Sequence, residues 1–170
     1  MKIYMIAAIA KNKAIGKDNK LLWNIPEDLR HFKRVTTGHA VLMGLNTWNS
    51  LPCKPLKNRM NFVLCPEGTE IDCPDTVNVG LVHDIDSFLK RTDIADVFII
   101  GGASVYKLFI DKADELFLTV IDKEFEADAF FPEFEESEYE KYKLDYVDNQ
   151  YMDSSEIRDF DYSFWHYVKK

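Results

Sequence analysis

The sequence predicts an α/β domain with a central, mostly parallel sheet of eight strands, an antiparallel C-terminal edge and four flanking helices. Apolar runs alternate with amphipathic segments through the first two thirds of the chain, which is typical of right-handed strand–helix–strand crossovers. The last third has apolar runs without a convincing helix between them, which predicts the antiparallel edge. The length of 170 residues is that of one domain, over residues 1–170, whose core needs neither disulfide nor metal.

Turn residues bound each of the predicted elements. Strands are predicted at Lys2–Ala10, Ala40–Gly44, Asn61–Cys65, Val77–Leu81, Asp96–Ile100, Glu115–Asp122, Lys143–Val147 and Tyr162–Val168. Helices are predicted at Pro26–Thr36, Thr47–Leu51, Ile85–Arg91 and Ser104–Phe109. The acidic run Pro132–Lys141 is predicted to be a solvated surface segment, and the polar segment Asp148–Asp161 is assigned no role.

The charge and cysteine content of the chain indicate which partners and which cellular compartment to expect. The net charge of −8 argues against nucleic acid or an anionic membrane as the main partner. The cysteines, Cys53, Cys65 and Cys73, are odd in number and form no C-x-x-C, which favours reduced thiols in the cytoplasm. The apolar run Ile3–Ala10 is too short to span a bilayer and lacks a cleavage site, so we expect a buried strand. No metal site is predicted, and no long apolar stripe is left over, so a monomer is expected.

One carboxylate stands out on the first predicted helix. Helical spacing from Pro26 places Asp28 on a face that is otherwise apolar, with Ile25, Leu29, Phe32 and Val35. A carboxylate there should have a raised pKa, and it would suit binding an amidine-like heterocycle and assisting proton transfer to it. The alternative is that Asp28 only favours the helix dipole in the first turn.

Two strand–glycine–helix junctions, Val41–Trp48 and Val97–Tyr106, indicate a phosphate-binding edge. Each brings backbone N–H groups to the carboxyl end of a strand, and glycine permits close approach of a ligand. Either junction alone is weak evidence for a phosphate site, since glycine also ends strands for structural reasons. Two such junctions in one sheet favour a bound dinucleotide. Neither matches G-x-G-x-x-G or a P-loop, which disfavours a standard Rossmann domain and an NTPase.

Two further features, a polar loop and a single arginine, can each be interpreted as functional or as purely structural. The polar, turn-rich segment Lys11–Leu22 could act as a lid, although a simple connector fits its composition equally well. Arg59, at the start of a predicted strand, could bind a carboxylate bidentately, although a lone arginine is more often a surface residue. The four histidines form no ligand pattern.

A series of short sequence pieces runs through essentially the whole chain. These pieces are Ile6-Ala7-Ala8, Ile15-Gly16, Trp23-Asn24-Ile25-Pro26-Glu27-Asp28-Leu29, Phe32-Lys33, Val41-Leu42-Met43-Gly44, Thr47-Trp48, Pro55-Leu56, Asn58-Arg59, Ile99-Ile100-Gly101-Gly102-Ala103, Val105-Tyr106, Leu118-Thr119, and Asp128 with Phe131-Pro132. In their order and spacing, which make the match specific, the sequence resembles dihydrofolate reductase.

The resemblance implies reduction of 7,8-dihydrofolate to tetrahydrofolate by hydride transfer from a nicotinamide cofactor to C6, with a proton to N5. It implies that Asp28 binds the pterin 2-amino group and N3 and promotes the protonation, with Thr119 bonded to its carboxylate and Trp23 positioning a water. The implied substrate-binding residues are Ile6, Ala8, Leu29, Phe32, Lys33, Leu51, Leu56, Arg59 and Ile100, with Arg59 on the α-carboxylate of the glutamate tail.

For the cofactor, the resemblance implies contacts along both glycine junctions and a cis Gly101–Gly102 peptide. The implied residues are Ala8, Ile15, Gly16, Gly44, Leu45, Asn46, Thr47, Cys65, Glu67, Gly101, Gly102, Ala103, Ser104, Val105 and Tyr106. The lid would include Asn19 and Leu21 and would be supported by Asp128.

This chain departs from the family where the 2′-phosphate of NADPH would bind. Many members have arginine at the position of Leu45 and another basic residue at Ser104, and Glu67 here would repel a phosphate. NADPH is the expected cofactor, with a weak 2′-phosphate grip and possible use of NADH. Lys54 or Lys57 from a loop could restore the grip.

Two other interpretations remain open from the sequence. A reductase of the same fold that acts on a ribosylamino-pyrimidine would share the glycine junctions, but it would need neither Asp28 beside Trp23 nor a tail-binding Arg59. A non-catalytic nucleotide-binding protein would carry a carboxylate on an apolar face at a stability cost without a use. As a reductase, the chain is also expected to bind antifolate inhibitors.

Overall fold

A computed structural model describes residues 1–73, 77–144 and 160–170. Its strands are β1 (Lys2–Ala10), β2 (Ala14–Gly16), β3 (Ala40–Gly44), β4 (Met60–Leu64), β5 (Val79–Val82), β6 (Asp96–Gly101), β7 (Glu115–Ile121), β8 (Ala129–Phe130), β9 (Tyr139–Leu144) and β10 (Tyr162–Lys169). Its helices are α1 (Pro26–Thr36), α2 (Leu45–Ser50), α3 (Ile85–Leu89) and α4 (Ala103–Phe109), with short 3₁₀ turns at Ile110–Lys112 and Glu136–Glu138.

Eight of these strands form one sheet in the order β5-β4-β3-β6-β1-β7-β10-β9. Neighbours from β5 to β7 are all parallel, whereas β10 runs antiparallel to both β7 and β9. The predicted mostly parallel sheet with an antiparallel C-terminal edge and four helices is therefore confirmed. Because parallel strands share one carboxyl edge, the loops after β3, β4, β5 and β6 gather on one side of the molecule.

The sheet is buried on both faces, because its central strands are continuous apolar runs rather than alternating ones. One face packs a cluster around Met5, Leu116 and Phe109, each fully buried. The other face packs a smaller cluster around Met43 and Trp48, also fully buried. The smaller cluster lies on the face that faces α1, and its partly buried margin includes side chains of that helix.

The predicted strand Lys143–Val147 is misplaced, and the surface assignment of Pro132–Lys141 is wrong at its C-terminal end. β9 begins at Tyr139, which pairs with Lys169 of β10 and is 6% exposed. Its ring and that of Phe134 pack edge-on against each other and against Tyr167, so aromatic burial overrides the acidic composition. Residues 145–147 of the predicted strand and 148–159 of the unassigned polar segment lie outside the described residues.

The remaining differences are at element ends. α2 and α4 begin at Leu45 and Ala103, directly after their glycines, so the helices start earlier than predicted. α3 ends at Leu89 instead of Arg91, and β5 begins two residues later than predicted, at Val79. The pairing of β2 with β8 was not predicted, because strands of three and two residues are too short for an alternation pattern. Among the described residues, no helix is long and apolar enough to cross a membrane.

Candidate active site

The first helix delivers Asp28 to the sheet. α1 starts at Pro26, after the extended residue Ile25, which is 2% exposed and anchors the helix end in the core. Asp28 lies in the first turn of α1, and the hydroxyl of Thr119 in β7, itself 1% exposed, donates a hydrogen bond of 2.6 Å to its Oδ1. The Asp28 carboxylate is thus hydrogen-bonded to a strand of the sheet. This contact favours a role in a functional site over the interpretation that Asp28 only stabilises the helix dipole.

Burial is the dominant influence on Asp28. It raises the pKa of this carboxyl because the charged form loses water, and the charge of Glu27 raises it further. The hydrogen bond from Thr119 acts in the opposite direction, since it stabilises the carboxylate form. The result is an acid whose pKa lies above that of an ordinary aspartic acid.

One tyrosine lies near Asp28 and another contacts its neighbour Glu27, and neither was singled out for this purpose from the sequence. The hydroxyl of Tyr106 in α4 donates to the carbonyl of Ile6 at 2.8 Å, and burial together with the charge of Asp28 raises the pKa of Tyr106. The hydroxyl of Tyr162, at the start of β10, donates to the Glu27 carboxylate. Partners 135 positions apart leave no local sequence signal, so only the fold could reveal the second contact.

The structure brings together most of the residues predicted to line the substrate pocket. Ile6 is buried and Phe32, Leu51, Leu56 and Ile100 are partly buried in the same cluster. Ala8 pairs with Thr119 across β1 and β7, which places it directly beside the Asp28 contact. Leu29 is 56% exposed and Lys33 is also exposed, so these two lie at the rim rather than in the wall.

Arg59 is not the surface residue that its type alone would suggest. It is 8% exposed, and its guanidinium carbon lies 5.8 Å from the centre of the Phe32 ring. Nε donates to the carbonyl of Lys57 at 2.8 Å and Nη1 donates to Oγ1 of Thr36 at 3.1 Å. Burial lowers the pKa of Arg59, and no carboxylate contributes to that shift. A buried cation that donates to these two neutral acceptors is suited to binding an anionic group.

The two glycine junctions lie side by side, because β3 and β6 are neighbours and Met43 pairs with Gly101. Space there is tight: a Cβ on Gly44 would lie 2.9 Å from Cγ2 of Val105. Gly101 has φ of +129° and faces Oγ1 of Thr47 and the hydroxyl of Tyr106, each 3.4 Å from the position of a Cβ. The Gly101–Gly102 peptide is cis, as the resemblance implies.

Neither helix end at these junctions is capped by a side chain. The first turns of α2 and α4 therefore leave backbone N–H groups for an external acceptor at the carboxyl edge of the sheet. Paired small residues and free N–H groups fit the phosphates of a dinucleotide. Asn46 and Ser104 are exposed, and Leu45, Thr47 and Ala103 are half-buried around this edge.

The segment Lys11–Leu22 is tied to the loop that carries Asp128. β2 pairs with β8, and the backbone N–H of Asp18 donates to Oδ2 of Asp128 at 3.0 Å. Lys17 and Glu126 form an ion pair at 2.8 Å between the same two segments. Ile15 is buried and Gly16 half-buried, whereas Asn19 and Leu21 are exposed. Trp23 packs its ring against Phe125, with centroids 5.3 Å apart, so it also belongs to this contact.

Beyond the junctions, the carboxyl edge continues over β4 and β5. Cys65 is buried and Glu67 is exposed. Nδ1 of His83, directly after β5, lies 2.7 Å from the carbonyl oxygen of Cys65. The sequence reasoning missed His83, although it comes two residues after the predicted strand Val77–Leu81 and therefore near the carboxyl edge of the sheet.

Comparison with known proteins agrees with this geometry. The family model described as dihydrofolate reductase matches residues 2–169. The chain is 39% identical to dihydrofolate reductase of Bacillus subtilis strain 168 over 170 residues, which cover 99% of this chain and 95% of the relative. It is 35% identical to dihydrofolate reductase of Staphylococcus aureus strain MSSA476 over 140 residues, which cover 82% of this chain and 84% of the relative.

A solved structure extends the agreement to three dimensions. Dihydrofolate reductase from Enterococcus faecalis, complexed with NADP(H) and RAB-propyl, is similar to this chain with a TM-score of 0.81 at 29% identity. The similarity covers 99% of this chain and 96% of that chain. The family match over almost the whole length and the shared architecture lead to one conclusion: this chain belongs to the dihydrofolate reductase family.

Proposed function

We propose that this chain reduces 7,8-dihydrofolate to 5,6,7,8-tetrahydrofolate with NADPH, in support of thymidylate, purine and one-carbon metabolism. The observation that carries the proposal is the half-buried Asp28 carboxyl group, held by a hydrogen bond of 2.6 Å from Thr119. When bound, NADPH supplies the hydride, which goes to C6 of the pterin, while N5 takes a proton. The two transfers together saturate the C6–N5 bond.

Asp28 has two tasks in this proposal. Its oxygens accept hydrogen bonds from the 2-amino group and N3 of the pterin, and its raised pKa makes it a reservoir for the proton that N5 takes up through a water. Thr119 fixes the orientation of the carboxyl group by occupying Oδ1. Trp23, whose ring packs against Phe125, covers the site next to Asp28 and positions the water.

The apolar wall and Arg59 hold the rest of the substrate. Ile6, Phe32, Leu51, Leu56 and Ile100 surround the pterin and benzoyl rings, with Ala8 and Leu29 at the margins. Arg59 binds the α-carboxylate of the glutamate tail, because its guanidinium is buried without an acidic partner contributing to its pKa shift. Lys33 lies exposed on the same helix and adds positive charge nearby.

The two glycine junctions fit the phosphates of NADPH, with Gly44, Thr47, Gly102, Ala103 and Val105 around them. We further propose that the enzyme also accepts NADH, since Leu45 and Ser104 offer no charge to a 2′-phosphate and Glu67 opposes it. Steady-state kcat/KM with each cofactor tests this second statement. A preference for NADPH above about a thousandfold, some 4 kcal/mol, would contradict it.

The segment Lys11–Leu22 is proposed as the lid of this site. Its pairing through β2 and β8 and the Asp18–Asp128 hydrogen bond support this role, because they hold the segment against the loop that carries Asp128. The lid then excludes water from the reacting atoms.

We also propose one domain over residues 1–170 that acts as a monomer in the cytoplasm. Among the described residues the three cysteines form no disulfide, which fits a reducing compartment, and the net charge of −8 disfavours nucleic acid and anionic membranes as partners. Antifolates with a protonated diaminopyrimidine ring are expected to bind at Asp28, because a cation there pairs with the carboxylate.

One assay tests the proposed reaction. The loss of absorbance at 340 nm with NADPH and dihydrofolate should be rapid for the parent chain and at least about a hundredfold slower for Asp28→Asn. A ribosylamino-pyrimidine serves as the competing substrate. Turnover of that compound without turnover of dihydrofolate, or full activity of Asp28→Asn, would refute the proposal.

A further inference from the structure

The first turn of α1 is held to the sheet by two neighbouring hydrogen bonds. The Asp28 carboxylate accepts one of 2.6 Å from Thr119 in β7. The residue before it, Glu27, accepts a hydrogen bond from the hydroxyl of Tyr162 in β10. Because β10 is the antiparallel neighbour of β7, adjacent residues of the helix are bonded to adjacent strands of the sheet.

The pairing of β7 with β10 explains why both contacts lie on one face of the sheet. Thr119 pairs with Phe164, and Ile121 pairs with Tyr162. Residues that pair across antiparallel strands, and residues two apart along one strand, point to the same face. Thr119 and Tyr162 therefore both point towards α1. The next helical turn follows the same pattern, because the His31 ring packs on Phe164 with centroids 4.5 Å apart.

Two such contacts restrict a movement that one contact leaves open. Successive residues of an α-helix differ by about 100° around its axis, so Glu27 and Asp28 leave the helix in different directions. A single hydrogen bond at Asp28 would let the helix end rotate about that bond, and the second one, at Glu27, opposes the rotation. Proton transfer is sensitive to the resulting position, since a misplacement of about 1 Å can lower a rate about a hundredfold.

The contact between Glu27 and Tyr162 is of a kind that can fix a side chain. Both residues are half-buried, and a hydrogen bond from a hydroxyl to a carboxylate is charge-assisted. The tyrosine also loses little conformational freedom in making it, because few of its side-chain bonds rotate. The alternative is that Glu27 only stabilises the positive end of the helix dipole. That interaction needs no partner on the sheet, so it predicts no effect of Tyr162 on the reaction.

The groups around Asp28 make the position of Glu27 measurable. Among the described residues, Glu27 is the one charged group that shifts the pKa of Asp28, and it raises this pKa, whereas the Thr119 hydroxyl lowers it. Burial lowers the pKa of His31 to about 4, so this ring is uncharged at neutral pH. Burial raises the pKa of Tyr106 in α4, so its phenol also stays uncharged. A Glu27 carboxylate that turned into water would raise the pKa of Asp28 less.

We propose that Tyr162 is a positioning residue for the proton-transfer acid, because through Glu27 it holds the first turn of α1, and with it the Asp28 carboxyl group, in place over β7. This inference rests on the proposed function, since it takes Asp28 as the group that supplies the proton. The C-terminal edge of the sheet then contributes to the reaction through the helix end, without touching the reacting atoms.

Two single variants separate position from charge in single-turnover hydride transfer. Tyr162→Phe keeps the ring and removes the hydroxyl, so it should lower the rate on the acidic side of the pH profile about five- to tenfold. It should also move the alkaline limb to lower pH, because a proton donor with a lower pKa loses its proton earlier as pH rises. Glu27→Gln keeps an oxygen that can accept from Tyr162. It should therefore lose less rate than Tyr162→Phe and show the same downward shift of the limb.

A double variant shows whether Tyr162 acts through Glu27. In Glu27→Ala the acceptor is already gone, so adding Tyr162→Phe should cause no further loss, and the two losses should not multiply. Tyr142→Phe is the matched control: it removes an exposed hydroxyl of β9 that donates to Glu140 at 2.6 Å, and it should change neither rate nor limb. Losses that multiply in the double variant, or an equal loss in Tyr142→Phe, would overturn the role of Tyr162.

The titration of Asp28 in the chain without ligands separates this inference from the proposed function. NMR of isotope-labelled aspartate follows the carboxyl group directly, and its pKa should be lower in Tyr162→Phe than in the parent chain. A lower pKa without dihydrofolate turnover by the parent chain would support the contact and refute the proposed reaction. If Tyr162→Phe keeps the parental rate, limb and Asp28 pKa, even with reduced thermal stability, the role of Tyr162 is overturned and the proposed reaction stands.

Discussion

The two ends of the candidate site are built in different ways. At the substrate end, Asp28 is bonded to Thr119 and Arg59 to Thr36, and all four side chains are at least half-buried. At the end proposed for the adenosine of NADPH, formed by the segments that follow β4 and β5, Glu67 and His83 are exposed, and Nδ1 of His83 lies 2.7 Å from the carbonyl oxygen of Cys65. Proton transfer needs a group fixed to within tenths of an ångström, whereas cofactor selection needs only a local charge. Substitutions at the substrate end should therefore lower activity strongly, whereas substitutions at the adenosine end should readily change the preference between NADPH and NADH.

Arg59→Leu should give the largest change among variants outside the proton-transfer pair. The substrate would lose a desolvated partner for its α-carboxylate, so KM for dihydrofolate should rise about a hundredfold while kcat stays within threefold. Steady-state kinetics measure both constants. Arg91→Leu, which removes an exposed arginine paired with Asp93, is the control and should leave KM unchanged. An equal loss in kcat would show that Arg59 supports more than tail binding.

Leu45→Arg should show how easily the adenosine end can be altered. A new guanidinium at the start of α2 would face the region of the 2′-phosphate, so the NADPH-to-NADH ratio of kcat/KM should rise about tenfold. Leu108→Arg adds the same charge at an exposed position of α4, and it should leave the ratio unchanged. A ratio that stays constant in Leu45→Arg would place the 2′-phosphate elsewhere.

Thr119→Val tests the sign of the hydrogen bond at the substrate end. That bond lowers the pKa of Asp28, so removing it should raise this pKa further. A proton donor loses activity as pH rises through its pKa, so the alkaline limb of the kcat/KM profile should move up by roughly half to one pH unit. Thr37→Val removes an exposed hydroxyl of the same helix region, bonded to the carbonyl of Lys33, and should not move the limb. A downward shift would contradict the assignment.

Asp128→Ala should have the smallest effect. It removes the acceptor for the Asp18 N–H group and so weakens the closed position of the lid, which should lower kcat by about threefold. Asp111→Ala, which removes an exposed carboxylate of the 3₁₀ turn Ile110–Lys112 outside the lid, is the control and should leave kcat unchanged. A variant with parental kcat would show that the lid closes without this contact.

The sequence was informative wherever a local pattern decides the structure. The apolar face of α1 predicted both its bounds and the exceptional position of Asp28, and the glycine junctions predicted where two strands end. The start of β9 was missed because Tyr139 is buried by rings distant in the chain, including that of Tyr167. The Tyr162–Glu27 and His83–Cys65 contacts were missed for the same reason, since each depends on the packing of separate strands.

The roles of the site residues remain predictions, and the central one is that Asp28 provides the proton for N5. Single-turnover hydride transfer by Asp28→Asn, followed from pH 5 to pH 8, tests it most directly. If Asp28 supplies the proton, the variant should be at least about a hundredfold slower than the parent chain at pH 7.5 and should recover towards it as pH falls, because solvent then protonates N5. An equal deficit at every pH would mean that Asp28 only binds the pterin, and would contradict the account.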